Sequence, residues 1–399
     1  MPFFLRTRSL LTMALLGVLL VGLAGAGPAG AETRSVHATK VERGRIVFEL
    51  RGVTVARVDA ARLRVGGVQR RLRVSEVRRA ARRGVVRLRA PHRLIRAVRR
   101  NARRATLVLA VDAGECAVPG DARFVSPAGS DSNPGTVDRP WRTIDRAEDA
   151  AVPGMTVALR GGSYGAWGEI TYLEADGSSG APISIVAYPG ETPSIAGHVA
   201  VYGDHRRLCG LVLDGATGPV ARPSSGNPER EQGKVIVSGD GFELVNSEVS
   251  GSRWHAGLYL SGAEGARIVG NYIHDNGRFD DPSHANLDHG LYWASGSGLI
   301  EGNRFEDNYA HAVQLYPDAD NVTVRRNTMT GHGRSAVMVA KQVADSVIED
   351  NEIFGNRKGI QAWSLTGEGN VARDNRLWDN REGDLVGAGI SAVRNQLER

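Results

Sequence analysis

The chain is short of cysteine, and after Leu23 it has no apolar run long enough to cross a bilayer. It holds no metalloprotease histidine pair, no phosphate-binding glycine loop and no dinucleotide fingerprint, which sets those chemistries aside. The pattern Gly161-Gly-Ser-Tyr-Gly matches a nucleophile elbow, but the alternating α/β setting that motif needs is missing. Two cysteines, Cys116 and Cys209, cannot build a disulfide scaffold. They suit an oxidising compartment, either as one bridge or as two thiols. Acidic residues are scarce in one part only. Residues 33–115 carry 23 basic side chains, nearly all Arg, against six acidic ones, whereas residues 117–399 carry 25 against 37. The composition break near Glu115 marks a domain boundary.

The start of the chain reads as a secretory signal. Arg6 and Arg8 precede the apolar run Leu10 to Leu23, and Ala29-Gly30-Ala31 offers a cleavage site before Glu32. Residues 1–31 are therefore expected to be removed and the remainder secreted, with no membrane span left. Residues 33–115 hold alternating segments such as Arg62-Leu-Arg-Val and Val85-Val-Arg-Leu-Arg, which predict a small β-sandwich-like domain. Its charge suits a polyanionic surface. Without interleaved aromatics, specific nucleic-acid readout is not expected.

Residues 266–384 repeat. Asn271, Asn303, Asn327, Asn351 and Asn375 head similar phrases, the last four spaced 24 residues apart. A short alternating run precedes each Asn and another follows each phrase, leaving no room for a helix. Stacked coils of this kind form an all-β parallel β-helix with Val, Ile, Leu and Met inside. The Asn column is expected to satisfy its amides against neighbouring coils. Residues 120–399 are assigned to this solenoid, expected as a monomer.

Ahead of the repeats come Asp131-Ser-Asn-Pro-Gly-Thr, Trp141-Arg-Thr-Ile and Pro153-Gly-Met-Thr-Val-Ala-Leu-Arg-Gly-Gly-Ser-Tyr. Thr143 can cap a short helix over the open end of the solenoid. This stretch resembles the opening of secreted β-helix proteins of the pectate-lyase-like superfamily, nearest to the family 9 polysaccharide lyases. The family usually has Asp where Met155 stands. The resemblance covers about residues 120–390. It implies a right-handed parallel β-helix with an N-terminal helical cap, preceded here by the small basic β domain.

Aligning coils gives Gly257-Leu-Tyr, Gly290-Leu-Tyr, Ala312-Val-Gln, Ala336-Val-Met and Gly359-Ile-Gln. If the middle residue points inward, its neighbours point out. The predicted outward columns hold His289 and His311, extended upstream by Lys234, and Tyr259, Tyr292 and Gln314. An insertion of about eight residues between Asn271 and Asn303 carries Asp280, Asp281, His284 and Asp288. The expected substrate is an acidic polysaccharide. A β-eliminating lyase needs a base, an acid and a way to neutralise the uronate carboxylate. His289 or His311 is the candidate base and Tyr292 the acid. His255, Tyr259, Gln314, Tyr316, Lys341 and Trp363 are candidate substrate-binding residues. Calcium is a candidate cofactor, held by Asp280, Asp281 and Asp288. A glycoside hydrolase using Asp288 and Asp318, a uronate epimerase and a non-catalytic glycan binder are the alternatives.

Overall fold

The computed structural model describes residues 116–166, 168–215, 233–253, 255–278, 287–363 and 366–398, and before them the strands between residues 31 and 112 with Ile95 and Val98. Three strands recur in fixed order from Arg123 onward. They build an eleven-stranded first sheet (Arg123–Val125 to Ser391–Val393), a ten-stranded second sheet (Gly162–Tyr164 to Gln396–Glu398) and a nine-stranded third sheet (Ile170–Leu173 to Leu385–Val386). Every pairing in them is parallel and joins one coil to the next. Ile268 lies opposite Ile300 and that opposite Val324; Leu258 lies opposite Leu291 and that opposite Val313. This is the parallel β-helix that the repeat spacing predicts. Its core is a set of stripes in which Ile273, Phe305, Ile353 and Leu377 are fully buried. Each such side chain stabilises the fold by about 1.5–3 kcal/mol relative to exposure.

Short turns between the first and second sheets carry the Asn column. Asn271 Nδ2 donates to Asn303 Oδ1 at 3.0 Å, and the pattern continues through Asn327, Asn351, Asn375 and Asn395. Each Oδ1 also accepts the backbone N–H of the preceding Asn, as Asn327 Oδ1 does from the Asn303 N–H (2.9 Å). The second Nδ2 proton goes to a strand carbonyl, such as Ile300 from Asn327 (2.9 Å). Asn327→Ala would leave several buried groups unpaired. We expect a loss of about 3 kcal/mol, measured by denaturant unfolding. Asn395→Ala, in a half-buried site at the end of the column, is expected to cost less.

The amino-terminal cap forms as its sequence signals suggest. Helix α1, Ile144–Glu148, is capped by Thr143, whose hydroxyl accepts from the Arg146 N–H, and it buries Ile144 and Ala147. Asp131 fixes the entry to it. Its Oδ1 accepts from the backbone N–H of Arg142 (2.8 Å) and Thr143 (3.0 Å), and its Oδ2 from the Thr143 hydroxyl. Glu148 then pairs with buried Arg206 at 2.7 Å and 3.0 Å. The Asp131 and Trp141-Arg-Thr-Ile signatures are thus the parts of one plug.

Cys116 and Cys209 form a disulfide across a sequence separation of 93. It ties the start of the solenoid to the first-sheet strand Arg206–Cys209. Closing a loop of that length is worth about 2–5 kcal/mol. Reduction, or Cys116→Ser, is expected to lower Tm by several degrees in a thermal melt. An unchanged Tm would mean the bridge does not hold the fold.

The amino-terminal part forms one seven-stranded antiparallel sheet. Its strand Ala31–Glu42 pairs with Ala105–Asp112 through its first half and with Arg45–Glu49 through its second. The register shifts between Ala38 and Lys40, just past the point where the strand changes partner from Ala105–Asp112 to Arg45–Glu49. Residues 1–30, and so nearly all of the predicted signal, lie outside the described residues.

Candidate functional site

The third sheet presents the column Tyr172, Ala200, Ile236, Tyr259, Tyr292, Gln314, Met338 and Gln361, one residue per coil. The coil spacing of about 4.8 Å brings successive rings into contact. Tyr259 stacks on Tyr292 with centroids 5.3 Å apart and planes 11° apart. His255 sets its ring edgewise to both, at 6.1 Å from Tyr259 and 5.8 Å from Tyr292. Tyr316 lies 6.3 Å from Tyr292, and the Lys341 ammonium sits 4.9 Å from the Tyr316 ring centroid. His289 stacks on Tyr292 at 5.6 Å and on His311 at 5.1 Å. The register therefore gathers His255, Tyr259, His289, Tyr292, His311, Tyr316 and Lys341 into one continuous group. Gln314 adjoins it opposite Tyr292, and Trp363, 49% exposed, stands two coils beyond Tyr316.

The group divides by depth. His255, Tyr259, Tyr292 and Tyr316 are half-buried and Lys341 is exposed. His289 and His311 are not outward as predicted; they are 0% and 4% exposed. Simple alternation breaks at this corner. A Cβ on Gly290 would lie 2.8 Å from the Asn308 amide, so the glycine column itself faces inward and the chain turns before it. The His311 Nδ1 accepts the Ser335 N–H at 3.1 Å, and the His289 Nδ1 accepts the His311 N–H at 3.4 Å. A neutral ring accepting at Nδ1 carries its proton on Nε2. Both imidazoles are thereby placed as rungs of the scaffold and poorly placed to take a proton. Burial, reinforced by Arg334, pushes the His311 pKa down to about 3. Burial also raises the Tyr292 phenol well above its usual value, with smaller contributions from Tyr259 and Tyr316. Tyr292 is therefore a protonated donor at any ordinary pH.

Lys234 does not extend the histidine column. Its strand register sets it opposite Gly257, and its buried Nζ donates to the carbonyls of Ile195 and Gly197. Burial lowers its pKa to about 7.

Asp280, Asp281 and His284 lie outside the described residues. Asp288 is fully buried, and its oxygens accept from the Arg278 backbone N–H (2.9 Å), Nε (2.8 Å) and Nη2 (2.5 Å). A carboxylate so occupied fits a calcium ligand poorly. Among the described residues no group of three or more His, Cys, Asp or Glu is arranged to hold a metal ion.

Two buried features escaped the sequence reading. Asn276, Asn308, His332, Asn356 and Asn380 form a second column, visible in the sequence as the last residue of each repeated phrase. On the second sheet, His274 is held between Asp275 (2.9 Å) and Glu248 (3.2 Å) and stacks on Tyr272, whose hydroxyl donates to Glu306. Burial opposes charge on His274, but the two carboxylates outweigh it and raise its pKa. Only the coil register brings these residues together, so no local motif announces them.

Residues 123–383 match the family described as Pel9A-like, right handed beta helix region. Among curated sequences, Pectate lyase PEL9 of Emericella nidulans is 26% identical over 278 residues, 62% of this chain and 60% of its own length. The uncharacterized protein YwoF of Bacillus subtilis is 40% identical over 78 residues, 20% of this chain and 16% of its own. The chain thus spans less than two thirds of the length of each. Among solved structures, pectate lyase Pel9A superposes with a TM-score of 0.48 at 14% identity, covering 70% of this chain and 79% of that one. An alginate lyase from Paenibacillus sp. str. FPU-7 gives 0.43 at 16% identity, covering 64% and 96%.

Proposed function

This chain belongs to the Pel9A-like right-handed β-helix family, and on that premise we propose that it is a secreted polysaccharide lyase cleaving a uronate-containing glycan by β-elimination. The observation that carries the reading is the ring group around Tyr292. It places a protonated phenol beside an imidazole, between aromatic faces, on a track running across the coils. His255 is assigned as the base. Its ring is half-buried and stands edgewise to Tyr292 with centroids 5.8 Å apart. His255 removes the proton α to the uronate carboxylate. The electron pair forms the ring double bond, the glycosidic C–O bond breaks, and the Tyr292 hydroxyl protonates the leaving oxygen. Lys341 and the Gln314 amide offset the charge that builds on the carboxylate. Tyr259, Tyr316 and Trp363 offer ring faces to the sugars. His289 and His311 hold Tyr292 in place from below.

The hydrolase alternative loses support, because Asp288 is locked to Arg278 and cannot form the carboxylate pair that hydrolysis needs. An epimerase would share the proton abstraction but break no chain. Screening polyuronates for a product absorbing in the ultraviolet tests the reading. A lyase gives that product, a hydrolase gives reducing ends without it, and an epimerase or binder gives neither. A calcium ion held by the loop carrying Asp280 and Asp281 is proposed separately. Turnover lost in chelator and restored by calcium would bring it in, and no step above depends on it.

A further inference from the structure

The solenoid that carries this site is acidic, with 25 basic against 37 acidic residues beyond position 116, yet the substrate proposed for it is an anion. Its first-sheet arginines do not resolve that conflict. Arg207 and Arg267 pair with Glu243, Arg325 with Glu301 and Arg373 with Glu349, each across neighbouring coils. The lysines are placed differently. The chain has four, and Lys234, Lys341 and Lys358 all lie on or just past strands of the third sheet. Lys234 is closed into the wall and Lys341 stands over Tyr316. Lys358 has a different setting.

Lys358 opens the strand Lys358–Ala362, three coils beyond Tyr292 in the register Tyr292, Gln314, Met338, Gln361. It lies opposite Ser335, whose hydroxyl donates to Gln361 Oε1 at 2.7 Å, so the Ser335 and Lys358 column borders the one that holds Tyr292. Gln361 keeps its amide N–H groups as donors, and Trp363, 49% exposed, follows the same strand. The ammonium of Lys358 is weakly engaged. It stands 3.9 Å from Glu382 Oε2, while Glu382 Oε1 accepts from Arg357 Nε at 2.5 Å. Both partners of the longer pair are partly exposed, where an ion pair contributes little. On the other side of Tyr292 the column runs Tyr259, Ile236, Ala200 and Tyr172, with no charged member. The cations therefore lie to one side. A polyuronate advances by about one coil spacing per sugar, so a chain lying over Tyr292 brings a carboxylate to Lys358 about 14 Å along its length.

We infer that Lys358, Gln361 and Trp363 form a distal subsite, in which the ammonium and the amide hold the free carboxylate of a uronate and the indole covers its ring. The inference rests on the lyase reading for the position of the cleaved bond, but not for the binding itself. It makes the preferred substrate a run of unesterified uronates rather than a short oligomer. A trimer cleaved at Tyr292 is too short to reach Lys358; a hexamer reaches it.

The test uses the full chain with trimers and hexamers of galacturonate and of mannuronate, and the methyl-esterified hexamers. Affinity is read by calorimetry and turnover by ultraviolet absorbance. Wild type should bind and turn over one of the hexamers with a lower KM than its trimer. Lys358→Gln should raise KM and Kd for that hexamer about tenfold with little change in kcat, as expected for one charged hydrogen bond, and should leave the trimer nearly as it was. Trp363→Ala should act in the same direction. Lys358→Arg should keep most of the affinity, which separates charge from folding. The esterified hexamer should bind wild type and Lys358→Gln alike. If a hexamer binds and Lys358→Gln weakens it, but no polyuronate yields product, the lyase reading fails and the subsite stands. Unchanged hexamer affinity in Lys358→Gln, an equal effect on trimer and hexamer, an equal effect on the esterified chain, or no binding of either hexamer to wild type would each overturn the inference.

Discussion

Tyr292→Phe is expected to lower turnover on a polyuronate by about 10²–10⁴-fold while leaving the fold intact, because it removes the one proton that the leaving oxygen receives. The Phe ring keeps the stack on Tyr259 and the contact with His289, so a thermal melt should barely move. Tyr259→Phe supplies the contrast. It keeps the ring face and removes a hydroxyl assigned no proton transfer, so kcat should hold and only KM should shift. His255→Gln should lose turnover to a similar degree as Tyr292→Phe. A wild-type rate in either Tyr292→Phe or His255→Gln would remove that residue from the mechanism. The buried pair separates scaffold from chemistry. His311→Ala removes the acceptor for the Ser335 N–H, so its activity loss should come with a lower Tm.

The sequence made the architecture legible because one coil is one repeat. Asn303, Asn327, Asn351 and Asn375 return every 24 residues, and the column they form is bonded as the spacing implies. The same register gave the membership of the ring group, since Tyr259, Tyr292 and Gln314 fall opposite one another in successive strands. Depth was not legible. His289 and His311 precede an inward-facing glycine column at a corner, where strand alternation no longer says which way a side chain points. Nor could spacing reveal that Asp288 spends its oxygens on Arg278 ten residues away. The bridge between Cys116 and Cys209 was open for a similar reason, because a separation of 93 says nothing about Cα distance until the coils are wound.

The second column contains a misfit whose removal should show in acid. His332 stands where the neighbouring coils have Asn308 and Asn356. Its Nδ1 accepts the Asn308 N–H at 3.2 Å, and the ring also interacts with the Phe305 backbone. An asparagine in that column also donates to a strand carbonyl, as Asn356 does to Met329 at 3.2 Å. Burial pushes the His332 pKa down to about 3, from about 6.5 in an unfolded chain. The unfolded state therefore binds more protons between those values. Stability is full above pH 6.5 and falls as pH drops toward 3, by about 1.4 kcal/mol per pH unit for each such histidine. His311 adds a second, parallel loss over the same window. His332→Asn should halve this combined slope, because His311 remains. Near pH 7 it should change stability by about 1 kcal/mol or less, the amide bonds taking the place of those the ring makes. At pH 5 it should leave the protein about 2 kcal/mol more stable than wild type. Unfolding free energies measured by denaturant at several pH values decide it. Parallel pH profiles for wild type and variant would mean that His332 titrates alike in the folded and unfolded chains, which a ring closed inside the solenoid cannot do.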